Sequence, residues 1–418
     1  MMRAAGEGGA TTPPPSIPES PYAWRRLAAS LAISTVGGVG IWSVVVALPA
    51  VQAEFGAARG GASLPYSATM LGFALGGVAM GRLADRFGIL APLVLGALAL
   101  GAGYVGAAQA TALWHFVLLQ GLLIGFLGSS TVFGPLVADI SLWFDRRRGM
   151  AVGICASGNY LAGTIWPPLM QAGIDSIGWR ATYVAVGIAC VATMLPLAMV
   201  LRRPPPPAKP SVAGAGEAGA MPVSARTLQA LLIVAGLTCC LAMAMPQVHI
   251  VAYCADLGYG PARGAEMLSL MLGFGVLSRL ASGLVADKVG GLTTLIAGSF
   301  LQMLALIAYI PFDGLASLYV VSAIFGLSQG GIVPSYALII RDHFPAREAG
   351  SRISTVLTAT VLGMALGGWM SGIIYDWTGS YTMAFLNGVA WNVLNLGIAL
   401  WILYVRRPHA PPLSPAMA

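Results

Sequence analysis

One arginine stands alone in a long apolar stretch of this sequence. The segment Gly273–Gly290 reads GFGVLSRLASGLVADKVG, and Arg279 is its only charged residue before Asp287 and Lys288. A charged side chain at membrane depth costs about 2.5–3.5 kcal/mol on insertion scales and is usually functional. A guanidinium cannot lose its proton to avoid that cost, but its planar donors can hold a carboxylate at two points. We therefore predict that Arg279 binds an anion within a membrane; the alternative is a structural arginine bonded to backbone carbonyls.

The composition places most of this chain in a membrane. Of the 418 residues, 57% are hydrophobic and 9% are charged, and the mean hydropathy is +0.80. Soluble domains carry about 25% charged residues. The net charge of +7 does not indicate nucleic-acid binding, because the basic residues lie between apolar runs, as loop residues do. We predict an all-α membrane protein, since irregular backbone cannot face lipid.

Twelve apolar runs of about 20 residues are each long enough to span a bilayer. They lie at 27–50, 64–84, 91–110, 114–138, 149–170, 180–201, 228–253, 264–286, 292–311, 315–340, 353–374 and 381–405. A segment with four consecutive prolines follows the sixth run and is typical of a linker. We therefore predict a disordered N-terminal tail (1–24), an N-terminal six-helix bundle (25–201), a cytoplasmic linker (202–227), a C-terminal six-helix bundle (228–405) and a C-terminal tail (406–418).

The lysine and arginine positions indicate how the spans are oriented. If both termini are cytoplasmic, eighteen of the 22 basic residues fall on the cytoplasmic side. Arg59, Arg180 and Arg263 fall outside, and Arg279 lies within the bilayer. Such an asymmetry is the positive-inside pattern. We expect a multi-pass protein of the cell membrane with both termini in the cytoplasm.

The two halves of the chain repeat each other. GRLADRFG at Gly81–Gly88 matches GLVADKVG at Gly283–Gly290. Glycines at GxxxG spacing also recur in helices 2 and 11, where they predict tight helix interfaces: Gly72, Gly76, Gly77 and Gly81, and Gly363, Gly367, Gly368 and Gly372. The charges at the cytoplasmic loops favour a gate, although topology signals are the alternative; the candidates are Asp85, Arg86, Arg147, Asp287 and Lys288.

Four polar residues are predicted to line a cavity with Arg279. Gln329 lies in GLSQGG of helix 10, and Asn159 lies among the small residues of helix 5. Tyr66 in helix 2 and Tyr336 in helix 10 could donate hydrogen bonds to a carboxylate. The alternatives are that the two amides join neighbouring helices and that the two tyrosines only fill space.

His249, near the outer end of helix 7, is the histidine placed to face the cavity. An intramembrane histidine can relay protons near neutral pH, and a hydrogen-bonded structural histidine is the alternative. The predicted partners are a small organic anion, the lipid bilayer, and protons or a counter-anion; we expect a monomer and no nucleic acid.

The sequence gives no support for an enzyme. It contains no phosphate-binding GxxxxGK[ST] loop and no His/Glu metal constellation. The five cysteines lie in or beside apolar runs without CxxC spacing, so we expect neither a disulfide framework nor a zinc site. We predict no cofactor, no metal and no catalytic residue.

From about residue 25 to 405 the chain resembles the major facilitator superfamily, and within it the monocarboxylate-transporter-like branch that includes bacterial oxalate–formate exchangers. GRLADRFG is similar to the superfamily's loop 2–3 motif, without two basic residues at Ile89 and Leu90. SLWFDRRRGMAVGICASGNYLAGTIWPPL (Ser141–Leu169) is similar to the branch's helix 4–5 passage, and ALPAVQAEFG (Ala47–Gly56) to its helix 1 exit. The resemblance implies the superfamily fold of twelve helices in two bundles.

The same resemblance bears on the site residues. Arg279, with Gly283 four residues on, matches the branch's substrate-binding arginine. The branch's helix 1 lysine is Ala50 here, and the aspartate one turn before the arginine is Gly275. Oxalate exchangers carry a second cation in helix 11, and this helix 11 has none. The resemblance therefore carries over the anion-binding arginine without the proton-relay partners or the second cation.

We interpret the chain as a secondary active transporter of a small organic anion, a monocarboxylate, that works by alternating access. One alternative is an efflux transporter for amphipathic drugs or metabolites, in which Arg279 is buried against carbonyls. Another is a non-transporting receptor on the same fold. The sequence leaves open the substrate's identity, the direction of transport and the coupling ion.

Overall fold

The computed structural model describes residues 18–205 and 223–406, without the side chains of residues 346, 347 and 406. Most of the predicted N-terminal tail, linker and C-terminal tail lies outside these described residues. The described chain forms twelve helices: α1 Pro21–Phe55, α2 Arg59–Phe87, α3 Leu90–Ala108, α4 Leu113–Ile140, α5 Arg148–Ala156 and Gly158–Ile177, α6 Trp179–Val200, α7 Ala225–Asp256, α8 Pro261–Val289, α9 Gly291–Ala308, α10 Leu315–His343, α11 Ala346–Thr378 and α12 Tyr381–Arg406.

The prediction of an all-α membrane fold is confirmed. Eleven of the described helices are long and apolar enough to cross a membrane. The twelfth, α5, is less apolar because it carries Asn159, Gln171, Asp175 and two prolines. A helix with polar residues can be accommodated where it faces protein or a cavity rather than lipid.

Local sequence sets where the helices begin and end. Ser20 accepts from the backbone N–H of Ala23 before α1, and Ser224 does the same for Thr227 before α7, because a hydroxyl can satisfy a free N–H in the first turn. Gly379 ends α11 with φ of +67°, in the left-handed region, which glycine adopts without strain.

Several of the described helices are interrupted, α1 at Gly38 and α5 at Ser157 among them, and the interruptions of α4 and α10 lie near the middle of the helix. Helix α4 changes to a π-helix at Gln120–Gly128 and to a 3₁₀ turn at Ser129–Val132 before it resumes. Helix α10 pauses at Gly330 and Gly331. A Cβ atom at Gly330 would lie 2.5 Å from the backbone nitrogen of Arg279, so the pause in α10 packs directly against the turn of α8 that carries the arginine.

The glycine-rich helices form tight interfaces over part of their length. A Cβ atom at Gly72 would lie 2.1 Å from the carbonyl oxygen of Gly121 in α4, and one at Gly367 would lie 2.4 Å from that of Leu241 in α7. Gly77 and Gly81 instead have nothing within 4 Å of such an atom. The close packing predicted for α2 therefore holds at Gly72 and Gly76 and not at Gly77 or Gly81.

Candidate functional site

One side of the molecule is closed by contacts between the two bundles. This far side lies opposite the linker side, where α6 ends and α7 begins. Arg59 Nη2, at the start of α2, lies 3.0 and 2.9 Å from the two carboxylate oxygens of Asp256 in α7. Asp376 of α11 accepts from the backbone N–H groups of Arg59 at 2.7 Å and Gly60 at 2.8 Å. We call Arg59, Gly60, Asp256 and Asp376 the far-side lock.

The linker side has free space at three glycines of the predicted gate region. A Cβ atom at Gly81, Gly283 or Gly350 would have nothing within 4 Å. The five predicted gate residues, Asp85, Arg86, Arg147, Asp287 and Lys288, are all exposed. In the described residues none of the five forms an ion pair with the opposite bundle; Arg147 contacts its own bundle through a backbone N–H bond to Glu19 at 2.9 Å. In this conformer the five residues are therefore exposed, and none is paired across the two bundles in the described part of the chain.

A cavity of about 160 Å³ lies between the two bundles. Arg279 lines it from α8. Two of the other predicted site residues, Tyr66 and Asn159, line it from the first bundle, together with Tyr160, which was not predicted. Most of the remaining wall is apolar and includes Trp42, Phe133, Leu272 and Met364. The arrangement places one guanidinium in a mainly apolar chamber shared by both bundles.

The Arg279 guanidinium has few partners. Its Nη1 donates to the carbonyl oxygen of Ala156 at 3.3 Å, and its buried Nε–H has no hydrogen-bond partner. No salt bridge to Arg279 exists in the part of the chain that the structure describes. The Ala156 carbonyl ends the first piece of α5, just before Ser157. Arg279 is thus held by one long bond and retains unused donors.

An aromatic ring supports the same guanidinium. Arg279 Cζ lies 4.5 Å from the centre of the Tyr160 ring, a distance at which a cation is attracted to an aromatic face. A Cβ atom at Gly275 would lie 2.6 Å from Cε1 of Tyr160. The ring therefore occupies the space that a side chain at position 275 would fill.

The two predicted amide residues, Gln329 and Asn159, differ in their hydrogen bonds and in whether they line the cavity. Gln329 is fully buried; its Oε1 accepts from Gln247 Nε2, and its own Nε2 has no partner. Asn159 lines the cavity and its Oδ1 is buried without a partner. Both amides therefore keep one unused hydrogen-bonding atom, Gln329 behind Gly275 and Asn159 at the cavity wall.

Of the two predicted tyrosine donors, one lines the cavity and the other does not. Tyr66 lines the cavity, and its buried hydroxyl has no partner. Tyr336 is not among the lining residues, and its hydroxyl donates to Asn395 Oδ1 at 2.9 Å. Because that bond uses the donor that a carboxylate would need, we leave Tyr336 out of the site proposed below.

His249 lies away from the cavity wall, in the interface between α7 and α11. Its Nε2 is 2.8 Å from the carbonyl oxygen of Gly368, and its Nδ1 is 3.3 Å from the hydroxyl of Tyr381. The ring is fully buried. These contacts match the structural alternative for this histidine, and proton relay stays a prediction.

Sequence reasoning missed Tyr160 and Gln247. Tyr160 directly follows Asn159, which was predicted to face the cavity, so its position next to that amide was the available signal. Gln247 lies two residues before His249 in an apolar helix, where a lone amide is itself notable.

Comparison with known proteins agrees with this architecture. A model of the Major Facilitator Superfamily matches residues 31–351 and 283–418. A bacterial homologue of the human lysosomal transporter Spinster, solved in an inward-facing and occupied conformation, has a similar structure, with a TM-score of 0.71 and 16% identity over 93% of this chain and 97% of that chain.

Curated relatives are similar over most of the chain. Monocarboxylate transporter 13 of Bos taurus is 27% identical over 80% of this chain and 78% of its own length. Monocarboxylate transporter 11 of Homo sapiens is 27% identical over 90% and 82%. The MFS-type transporter pynF of Aspergillus niger is 26% identical over 72% and 69%. The family model covers most of the sequence, and the described residues form twelve helices in two bundles around a central cavity, so this chain belongs to the major facilitator superfamily of membrane transporters.

Proposed function

We propose that this chain is a secondary active transporter of a small organic anion, a monocarboxylate, and that Arg279 binds the substrate carboxylate. The observation that carries the proposal is the state of Arg279: it lines the central cavity, bonds one carbonyl at 3.3 Å and keeps a buried Nε–H without a partner. A carboxylate would supply a negative charge to pair with the guanidinium and oxygen acceptors for its unused N–H groups.

Electrostatics favours an anion over a neutral occupant. Arg279 is partly buried, and a charge withdrawn from water without a counter-ion is unfavourable, whereas a hydrogen bond to a charged group contributes about 1.5–3 kcal/mol. An incoming carboxylate can accept two parallel bonds from the guanidinium fork. Tyr66 and Asn159 line the same cavity. The Tyr66 hydroxyl, which has no partner, and the amide N–H groups of Asn159 can donate to a carboxylate, so we propose both residues as secondary substrate contacts, with Gln329 supporting them from behind Gly275.

The two ends of the molecule support alternating access. The far-side lock joins the bundles by hydrogen bonds at 2.7–3.0 Å, whereas the predicted gate residues on the linker side are exposed and, among the described residues, form no ion pair with the opposite bundle. We propose that Asp85, Arg86, Arg147, Asp287 and Lys288 approach one another when the linker side closes. We propose that the bundles (25–201 and 228–405) span the cell membrane with the linker side facing the cytoplasm. In that orientation this conformer is open inward.

The residues of the cavity wall also bear on whether transport is coupled to protons. Its lining residues include no aspartate, glutamate or histidine, so a proton cannot be carried by an acid beside Arg279. We propose anion exchange as the transport mode that fits secondary active transport, with uncoupled facilitated diffusion as the alternative. His249 is the test case for proton coupling, because it is the buried histidine nearest in sequence to the lining residue Gln247.

The alternative function, efflux of amphipathic drugs or metabolites, has one observation in its favour. The wall of the cavity is mostly apolar, with Ile41, Phe73, Met243 and Val361 among its residues. In that case Arg279 would keep its bond to Ala156, and apolar surface burial would dominate binding. Dependence on Arg279 separates the two functions.

The test is binding of monocarboxylates, from acetate to 3-phenylpropanoate, to purified full-length protein and to two variants. Arg279→Ala should remove saturable binding of the acids that bind the parent. Arg279→Lys should restore it only in part, because an ammonium has the charge without the planar fork. Each lost charge-assisted bond is expected to weaken affinity about ten- to a hundredfold.

A matched control is Arg263→Ala, which removes an exposed arginine of the same helix. It should leave affinity and melting temperature unchanged. A structural arginine would give a different result: Arg279→Ala would lower the melting temperature, and the remaining folded protein would bind carboxylates normally. Unchanged affinity in well-folded Arg279→Ala contradicts the proposed function.

A further inference from the structure

We propose that the central cavity selects monocarboxylates with a ring-bearing or branched apolar body over dicarboxylates and zwitterions, and that Tyr160 positions the Arg279 guanidinium for them. The inference rests on the proposed function, because it takes Arg279 as the anion-binding group. Three features of the cavity carry it: the charges in its wall, its apolar surface and the contact between Arg279 and α5.

The charges in the wall limit the substrate to one negative charge. Arg279 is the single charged residue among the residues that line the cavity, all of which the structure describes. A second carboxylate on the ligand would have no cation beside it, and an ammonium group would have no carboxylate. An uncompensated charge taken out of water is unfavourable. Dicarboxylates and amino acids are therefore excluded by the same wall that accepts a monoanion.

The apolar surface indicates what the carboxylate is attached to. Aromatic rings of the first bundle, Trp42, Phe73 and Phe133, face Leu272, Val333 and Met364 of the second across the cavity. The driving force for a ligand to leave water scales with the apolar area it buries, and aromatic walls favour edge or offset contacts with a ring. Acetate or lactate would leave most of this wall without contact. A ring or branched chain would cover it.

Tyr160 positions the guanidinium without using its donors. The ring lies 4.5 Å from Arg279 Cζ, and Ala156, one turn earlier in the same helix, accepts the single hydrogen bond at 3.3 Å. A cation–π contact holds the plane of the guanidinium and leaves its N–H groups for a ligand. An acidic side chain in the same place would compete with the substrate for those groups.

Gly275 makes this contact possible. A Cβ atom there would lie 2.6 Å from Tyr160 Cε1 and 3.3 Å from Gln329 Nε2. A tyrosine ring is rigid, so any side chain at position 275 would push it away from Arg279. The absent side chain, the ring and the arginine therefore act together, with Arg279 and Gly275 on one bundle and Tyr160 on the other.

The first test uses five ligands that differ by one group each. They are 3-phenylpropanoate, propanoate without the ring, phenylsuccinate with a second carboxylate, phenylalanine with an added ammonium, and uncharged 3-phenylpropanamide. Titrated into the full-length protein, 3-phenylpropanoate should bind at least about tenfold more tightly than each of the others, since an apolar group that fills a pocket, or a missing counter-ion, changes affinity by that factor or more.

The second test compares variants that preserve or remove the Tyr160 ring. Tyr160→Phe should bind 3-phenylpropanoate like the parent, whereas Tyr160→Leu and Gly275→Ala should each bind it roughly tenfold more weakly, because the guanidinium loses its support. Gly283→Ala is the matched control for Gly275→Ala, since it adds a methyl group to open space in the same helix. Melting temperatures identify any variant that fails to fold, and Tyr160→Phe and the five ligands remain informative in that case.

The outcomes separate this inference from the proposed function. Arg279-dependent binding in which propanoate or phenylsuccinate equals 3-phenylpropanoate overturns the selectivity and leaves the anion site intact. Normal binding by folded Tyr160→Leu overturns the positioning role. If the amide binds as well as the acid and Arg279→Ala has no effect, then the anion-binding function itself is wrong.

Discussion

Arg26 and Arg59 are both buried arginines with acidic partners, but one pairs within a bundle and the other pairs between the two bundles. Arg26 lies within one bundle and pairs with Asp139; their side chains are 0% and 8% exposed. Arg59 joins two bundles and pairs with Asp256, and here the exposures are 7% and 32%. The first pair is sealed from water, whereas water reaches the acid of the second. A contact that must break during transport is easier to break where water can replace it.

The Arg26 pair also ties together more of the chain. Its Nε and Nη2 bind both oxygens of Asp139 at 2.8 and 2.7 Å. Its Nη1 donates to the carbonyl oxygens of Leu201 at 2.8 Å and Arg203 at 3.1 Å. The start of α1, the end of α4 and the end of α6 therefore move as one body. In this protein the fully buried pair Arg26–Asp139 therefore holds one bundle together, whereas the partly exposed pair Arg59–Asp256 joins two bundles.

Removing Arg26 is the largest change we predict. Arg26→Ala leaves Asp139 buried without a cation, which typically destabilises a protein by about 3–5 kcal/mol. The melting temperature and the yield of monodisperse protein should both fall steeply. Arg26→Met with Asp139→Leu should recover much of the loss, since an apolar pair needs no counter-charge. A melting temperature close to that of the parent in Arg26→Ala would remove the distinction drawn between the two arginines.

Breaking the far-side lock should act on the conformational equilibrium instead. Asp376→Ala removes the acceptor for two backbone N–H groups at the start of α2, and the loss of such a cap costs about 0.5–2 kcal/mol. Spin labels at Thr111 and Asp313, on far-side loops of the two bundles, should report a longer distance in a larger fraction of molecules. Glu266→Ala is the control, because it breaks contacts that stay inside one bundle, to Arg263 of α8 and to Tyr319 of α10. Equal distance distributions in both variants would show that the lock does not hold the far side closed.

The smallest effect is expected on the linker side. Asp85 is exposed and no ion pair to it is formed in the described conformer, so Asp85→Asn should leave the melting temperature unchanged. If Asp85 contributes to closing that side, the same variant should increase labelling of cysteines placed at Gly81 or Gly350, because the open state gains population. Identical labelling of Asp85→Asn and its parent would argue that Asp85 is a topology signal only.

Some of this molecule could be predicted from its sequence, and the physical reasons are local. Twelve apolar runs predicted the helices because a bilayer demands about 20 apolar residues in a row. Arg279 could be singled out as a candidate site residue because a lone charge in such a run is rare. Gly275 and Gly283 were noticed from the resemblance, although the role of Gly275 as space for Tyr160 was not.

The long-range pairs could not be predicted in this way. Arg26 and Asp139 are 113 positions apart, and Arg59 and Asp376 are 317 apart. Arg59 was expected only to be one of three basic residues outside the membrane. Nothing in the neighbourhood of either arginine specifies a partner in another helix, because such pairing depends on how whole helices pack. The hydroxyl of Tyr336, which bonds Asn395, was out of reach for the same reason.

One half of the far-side lock is made from main-chain atoms. Asp376 is bonded by the backbone N–H groups of residues 59 and 60, and every amino acid except proline carries such a group. Side-chain changes at position 59 therefore cannot delete that half of the contact, while any change that removes the carboxylate at position 376 does. The two halves of the lock should therefore respond differently to substitution. The half at Asp376 tolerates any residue but proline at position 59 and needs an acceptor at position 376, whereas the half at Asp256 needs the cation of Arg59.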